Sequence, residues 1–515
     1  MSLKSIAMLR RFIYITACLL LCSQFGCKKF LNVEPLDRLS GNTFFKSAKD
    51  VEDNIWDIYG LFRDATGSCP LFALAGEARG GMLAMSPKGD GADRTFVEYV
   101  AKNDLIPVIY RPAGKDFWDI FDLHMLADWK PYYRVIQACN ILIYEVDRRV
   151  IPDLDEARKK TYKAEAIFMR SLAYFIMVRL WGDVVYYTDA YHQEPLPREK
   201  MVTVMNNCIT DLTAVLEELP WTFTEPAYQG ARTSRGSAVG LLMEMHMWNA
   251  GFDKSAAQQH YQATAELGDQ LIKSGAYMLL PMEESFTIFK GRSRESLFDI
   301  VISSNYGEGL AEKWNDLSEL VVHYPYKRPA WNHQYSFTYF RADYLRRLYP
   351  SGVPDARIQM WFDSQMFAND GTFMFLKYNS VYEQGNEDVN VDNNLIVLRY
   401  AGAVLLRAEA LAELGQTDEA IHMMNLIRQR ARTTLYQGGT LQALKDAIFT
   451  ERAKELMMEG HYYFDLVRTG RVMSQQWCYY PITQAQFDNG GWTWPINTNS
   501  LDNNPYMQLN NYWLR

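Results

Sequence analysis

The apolar pattern of this 515-residue chain predicts a mainly α-helical fold of helix hairpins joined by long loops, with a minor β component. Apolar residues recur at helical spacing through several long segments, most of them closed by a glycine. Between these segments lie stretches without helical period that hold many of the Gly, Pro, Trp and Tyr residues. At 48% hydrophobic and 14% aromatic, the chain has material for large cores, which excludes disorder, collagen and coiled coil.

The first 26 residues hold Lys4, Arg10 and Arg11 and no acid, and Phe12 to Phe25 is an uncharged, mostly apolar run of 14 residues. Such a run fits the apolar region of an export signal, about 7–15 residues, and falls short of the roughly 20 that span a bilayer. The next most apolar stretch, residues 171–181, is interrupted by Arg179, so export without a membrane-spanning helix is expected. Gly26 precedes Cys27 in the small-residue-then-cysteine order of a bacterial lipoprotein signal, which makes Cys27 the expected lipid anchor. Cys22 follows the bulky Leu21, and Cys18 leaves too short an apolar core. Without residues 1–26 the chain carries 50 basic and 61 acidic groups. It has no basic excess to neutralise phosphates, which argues against nucleic acid as a partner. The remaining Cys69, Cys139, Cys208 and Cys478 form no C-x-x-C pair and are expected as buried free thiols rather than a zinc site or disulfide framework.

Residues 162–181 carry apolar side chains on nearly every side, among them Phe168, Leu172, Phe175, Ile176 and Val178. A helix apolar all round belongs in the interior, and Gly182-Asp183 ends this one. Residues 238–250 and 255–274 form a hairpin turned at Gly251-Phe252-Asp253 and closed by Gly275. Between residues 398 and 431, Ala401, Leu405, Ala408 and Ala412 recur at helical spacing before Leu414-Gly415 breaks the run. Thr417 is the expected cap of the next helix, with Asp418 and Glu419 at its positive end and Ala420, Met424, Ile427 and Ala431 as its buried stripe. Ala408, Gly415 and Ala420 resemble a tetratricopeptide repeat, apart from Arg407 at a usually apolar place. Residues 441–459 and 462–468 make a last pair hinged at Gly460. The aperiodic stretches are 66–115, 276–334 and 477 to the end, the second with a β-like run at 297–302. Their aromatic content argues for function over disorder.

There is no G-x-S-x-G, H-E-x-x-H or G-x-x-x-x-G-K, so common hydrolase, zinc-protease and nucleotide sites lack their markers. No metal and no cofactor are expected. Asp388, Asn390 and Asp392 have the spacing of a calcium loop, yet Asn393 and Arg399 stand where an EF-hand needs Gly and Glu. A solvated loop is expected there, with calcium the weaker alternative. Glu451, Glu455 and Glu459 line one helix face at i, i+4 and i+8, as an acid/base or di-metal site would need, but no Glu-x-x-His accompanies them. Arg452, Arg468 and Arg471, near in sequence, are the expected partners in a structural ion-pair network.

The segment Glu451-Arg452-Ala453-Lys454-Glu455-Leu456, then Glu459-Gly460-His461, then Phe464-Asp465-Leu466-Val467-Arg468-Thr469-Gly470-Arg471 resembles the carboxy-terminal motif of the SusD/RagB family. Four further stretches agree in order: Cys27-Lys28-Lys29-Phe30-Leu31 with Pro35, Tyr174-Phe175 with Trp181-Gly182-Asp183, Arg399-Tyr400 with Leu405 to Ala410, and Trp494-Pro495-Ile496 with Asn504-Pro505. Tyr462 and Asn497 depart from the family pattern, which often has Arg and Pro there. The resemblance implies a signal peptide over 1–26 and a SusD-like domain over 27–515, divided into an N-terminal part (27–235) and a C-terminal part (236–515). It further implies a helical scaffold with tetratricopeptide-like hairpins that binds ligand on a loop-built surface. The function implied is that of a lipid-anchored protein on the outer face of the outer membrane. It would capture glycan without chemistry and pass it to a SusC-like TonB-dependent β-barrel transporter.

Sugar rings present apolar C–H faces and a hydroxyl rim, so a binder needs flat Trp or Tyr platforms flanked by Arg, Asp, Asn or Gln. Two loop clusters supply them: Tyr110, Trp118 and Trp129 near Asp116 and Asp119, and Tyr324, Tyr326, Trp331 and Tyr335 with Arg328 and Asn332. Arg79 and Asp93, in a Gly-rich loop, join the candidates, whereas Trp129 and Tyr133 are expected in the core. Two rival readings are a secreted helical glycoside hydrolase, which needs two carboxylates about 5–9.5 Å apart across a cleft, and a protein-interaction scaffold. The anchor is tested by metabolic labelling with radioactive palmitate: wild type takes up label and Cys27→Ala does not.

Overall fold

The computed structural model describes residues 45–67, 69, 71–86, 95–110, 123–302, 338–370, 375–378, 393–500 and 504–514. Helices form where an apolar stripe, or an apolar surface all round, has something to pack against. In α1 (Ala48–Gly67) the stripe is Val51, Ile55, Ile58, Phe62 and Ala65, with Asp50 at the positive end. A π-helical stretch (Phe72–Ala78), strand β1 (Leu83–Met85) and the short helices α2 (Phe96–Ala101) and α3 (Ile106–Ile109) follow. The first long hairpin is α4 (Lys130–Arg148) and α5 (Glu156–Trp181). Asp155 caps α5 by accepting the Arg158 amide at 2.8 Å. From Ala164 to Trp181 every residue of α5 is buried, as its all-round apolar sequence requires. Of its buried basic residues, Arg170 donates to Asn140 and Asp211 at 2.7 and 2.8 Å, whereas the Arg179 guanidinium lies over Phe175 and Phe464 with its Nε unbonded among the described residues.

Next come α6 (Met201–Ala214), the hairpin α7 (Arg235–Phe252) and α8 (Ala257–Lys273), α9 (Ser285–Lys290) and β2 (Ser296–Ile300). The chain continues through β3 (Thr338–Phe340), α10 (Ala342–Leu348), α11 (Ala356–Trp361) and β4 (Leu395–Arg399) to the hairpin α12 (Tyr400–Glu413) and α13 (Thr417–Arg430). It closes with α14 (Leu441–Glu455), α15 (Tyr462–Arg468) and α16 (Gln484–Asp488). Each long helix packs on the next in the succession α4, α5, α6, α7, α8, α12, α13, with α1 against α4 and α5. The seam between α8 and α12 accounts for Arg407. Gly268 leaves room for its stem, since a Cβ there would stand 2.9 Å from it. The Arg407 guanidinium then reaches the Ala265 carbonyl at 3.2 Å and the carboxylates of Asp269 and Glu419. Two small antiparallel sheets are the described β structure: β1 with β3, Met85 facing Thr338, and β2 with β4, Ile300 facing Leu395.

The fold is mainly α, with hairpins at the expected places. Within the stretches read as aperiodic the structure adds the π-helical stretch, α2, α3, α9 and α16. They are too short for an apolar period to declare itself over an 11-residue window. Thr417 is the first helical residue rather than the cap; the cap position is Gln416, whose side chain makes no capping bond. Residues 441–459 do not form one helix, because α14 ends at Glu455 and a turn with Met458 and Gly460 at positive φ leads into α15. There Gly76 packs so closely that a Cβ on it would lie 2.4 Å from the Gly460 Cα. Cys139, Cys208 and Cys478 are free and buried, and Cys69 is buried. Among the described residues no helix is long and apolar enough to cross a membrane.

Candidate ligand-binding site

The three glutamates of the carboxy-terminal motif are enclosed and bound to cations. Glu451 accepts from Arg357 at 2.6 Å and Arg428 at 2.9 Å. Glu455 accepts from Arg399 at 2.8 Å, from Arg357 at 3.2 Å and from Arg430. Glu459 takes Arg399 and Lys377, both at 2.6 Å. Glu295 adds a further carboxylate to Arg399, and Asp355 one to Arg357, each at 2.8 Å. The network is structural, as expected, but its cations are not those expected from proximity in sequence. Arg452 follows Glu451 by one residue, so it points about 100° around the helix, to Asp465 at 2.7 Å and Glu244 at 2.8 Å. Arg468 binds Glu409 and Asp465, and Arg471 binds Asp446. Asp465 between two guanidinium groups is held down at about 2 even though burial opposes this.

This network reaches the described residues that flank segments 371–374 and 379–392. Lys377 donates to the carbonyls of Glu455 and Met457 at 3.0 and 2.8 Å, and its ammonium lies over the Trp361 and Phe289 rings at 4.4 and 4.9 Å. Tyr378 donates its hydroxyl to the Met458 carbonyl at 2.8 Å. From there rings run in contact through Phe375 to Phe340 on β3, with centroids 6.3 and 5.8 Å apart. β3 pairs with β1, and Ser86 just after β1 donates to the Asp370 carbonyl at 3.2 Å. On the other small sheet, the Ile302 amide donates to Asn394 at 3.2 Å. The residues where the chain enters or leaves 87–94, 303–337, 371–374 and 379–392 are thus joined through two sheets and one aromatic chain. Asp93, Tyr324, Tyr326, Trp331 and Asn332 belong to these segments and lie outside the described residues, as do Trp118, Cys27 and the calcium-like Asp388, Asn390 and Asp392.

The structure describes two of the expected ligand contacts. Tyr110 is 38% exposed and donates to the Ile496 carbonyl at 2.8 Å. Arg79 must be corrected: it is 1% exposed, its guanidinium hydrogen-bonds the carbonyls of Gly491, Trp492 and Thr493 and the Asn103 side chain, and it lies 4.4 Å over the Tyr463 ring. It pins the C-terminal segment and presents no face to a sugar. Trp129 is buried, as expected. Lys377, Phe375 and Tyr378, which hold the loop roots, had no signal in the sequence, because their partners lie far along the chain.

A scaffold of packed helical hairpins thus gathers the described residues that flank four segments of the chain, of which 303–337 is the longest and holds most of their aromatic residues. Residues 362–513 match the model of the SusD family, and residues 92–244 match one described as starch-binding, associating with the outer membrane. A solved SusD homologue from Bacteroides thetaiotaomicron superposes with a TM-score of 0.80 at 36% identity, covering 91% of this chain and 98% of that one. The chain belongs to the SusD family. SusD-like protein P38 of Formosa agariphila is 24% identical over 94% of this chain and 95% of its own. A laminarin-binding SusD-like protein shares the fold at 19% identity, with a TM-score of 0.68 over 89% of this chain and 98% of that one.

Removing one partner from the network leaves buried charge uncompensated, which typically costs about 3–5 kcal/mol. Arg399→Met is expected to lower urea-unfolding stability by that order. Glu77, fully enclosed and accepting the Gly460 amide at 3.0 Å, is pushed by burial from 4.5 up to about 8. Below pH 4.5 it is protonated in both states, and as pH rises toward 8 the unfolded chain releases its proton first, so stability falls across that window. Unfolding midpoints measured from pH 4.5 to 8 are expected to decline less steeply in Glu77→Gln than in wild type.

Proposed function

We propose that this chain is a lipid-anchored, cell-surface glycan-binding protein that captures oligo- or polysaccharide and delivers it to a SusC-like TonB-dependent β-barrel in the outer membrane. The observation that carries the reading is the joining of the loop roots Ser86, Thr338, Asp370, Tyr378 and Asn394 through the β1–β3 and β2–β4 sheets and the aromatic chain. The segments they bear hold the expected stacking platforms Trp331, Tyr324 and Tyr326 and the hydrogen-bonding Asn332 and Asp93. Membership of the SusD family, the outer-membrane description of one matching model and the laminarin-binding relative support glycan as the ligand class. Tyr110, partly exposed, borders the segment 111–122, which holds the further candidate Trp118.

Capture is non-catalytic and requires no cofactor. The carboxylates grouped on the carboxy-terminal motif are paired with cations and enclosed, so they offer no acid/base pair to a glycosidic bond. Two or three ring stacks at about 0.5–1.5 kcal/mol each, with several hydrogen bonds, give micromolar to millimolar affinity, weak enough for hand-over.

Calorimetric titration with an oligosaccharide panel tests the ligand. Trp331→Ala is expected to weaken binding severalfold at unchanged melting temperature, while an unchanged isotherm removes Trp331 from the site. Sugar release from the same panel would instead identify a hydrolase, and co-purification with a large β-barrel from detergent tests the transporter.

A further inference from the structure

We propose a second sugar site, for a neutral oligosaccharide, in the cleft between the ends of α5 and α7 and the C-terminal segment; the ligand class rests on the glycan reading above. The cleft encloses about 770 Å³, within the usual range for small-ligand sites. One wall is flat and apolar. Phe252, at the end of α7, and Phe487, on α16, stack with ring centroids 5.9 Å apart and planes at 10°, and Trp492 lies behind them, 5.4 Å from Phe252. Both phenylalanines are half-buried, so part of the wall faces the cleft. Tyr506, 57% exposed, adds a ring at the rim.

Around that wall stand polar side chains with unused bonding capacity. Those of Lys254, Gln508 and Asn511 line the cleft and make no hydrogen bond among the described residues. An apolar plane for C–H faces beside free amide donors and acceptors is the chemistry that recognises a sugar. The cleft's other cations are occupied. Lys200 pairs with Asp183 at 2.9 Å, and Arg198 donates to the carbonyls of Trp181, Asp183 and Gln508 and to the Asn510 side chain. Lys254 and Asp488 both line the cleft, one cation and one carboxylate, so no net charge selects an anion. The frame is fixed, since Arg79 holds Gly491 to Thr493 from behind and Asn510 bonds the Trp181 carbonyl and Thr493. None of the loop-root residues lines this cleft, and neither does Tyr110.

The test uses the detergent-solubilised full mature chain with maltoheptaose, laminarihexaose and xylohexaose, read by calorimetry and by hydroxyl-radical footprinting. At least one sugar is expected to protect Tyr506 and Phe487, in wild type and equally in Trp331→Ala. The double variant Lys254→Ala/Gln508→Ala, at unchanged melting temperature, is expected to lose that protection and to bind the sugar at least fivefold more weakly at this site. Footprinting of wild type stands even if the double variant fails to fold. Binding that protects neither ring and vanishes in Trp331→Ala overturns the second site and leaves the proposed function intact. Protection that survives in Trp331→Ala with an unchanged isotherm supports the cleft and removes Trp331 from the first site. Absence of binding to every sugar overturns both, and protection that appears only on adding the β-barrel assigns the cleft to protein docking and overturns the sugar site.

Discussion

Charge withdrawn from water holds this molecule in register. Around Glu451, Glu455 and Glu459 the cationic side chains of Arg357, Lys377, Arg399, Arg428 and Arg430 are compensated by carboxylates and not by solvent. Such a cluster adds little net stability over an apolar core of the same shape, because desolvation offsets most of the Coulombic attraction. Its effect is to penalise displacement: moving α14 by one turn would strand several charges at once. The elements it joins are α11, β4, α13 and α14, together with the short segment at Lys377 that roots two loops. The carboxy-terminal motif is therefore a fastening, and the proposed binding surface would depend on it at one remove.

The helices and the loops divide the physical work. Stacked hairpins bury the apolar residues and close nearly all their backbone hydrogen bonds internally, so they need nothing from the loops. In the proposed function, the segments between them carry the rings and polar side chains that contact something outside the chain. Arg79 marks the boundary between these roles. It was expected at the surface, from a glycine-rich setting, yet it anchors the C-terminal segment by hydrogen bonds to carbonyls more than 400 positions away. Sequence setting reads exposure poorly for arginine, because a guanidinium is accommodated wherever enough acceptors converge.

The two largest departures from expectation have the same origin. Arg452 was expected to pair with its sequence neighbours and instead faces α7 and α15, since adjacent residues on a helix point in different directions. The cleft beside Phe252 and Phe487 had no precursor in the sequence because it joins the ends of α5 and α7 to a segment hundreds of residues later. By contrast, Gly182, Gly275, Gly415 and Gly460, each expected to end a helix or hinge a pair, are all at positive φ.

Periodicity, glycine punctuation and a contiguous motif are local properties of the chain, and they suffice for the helical class, the hairpins, the buried character of α5, the buried thiols and the family. Which cations meet the three glutamates, which segments share one root, where Arg79 points and where a second concavity opens are not local properties. Each of these depends on side chains brought together across long loops, and the direction of approach of two packed elements is set by their mutual burial, which neither element's own residues encode.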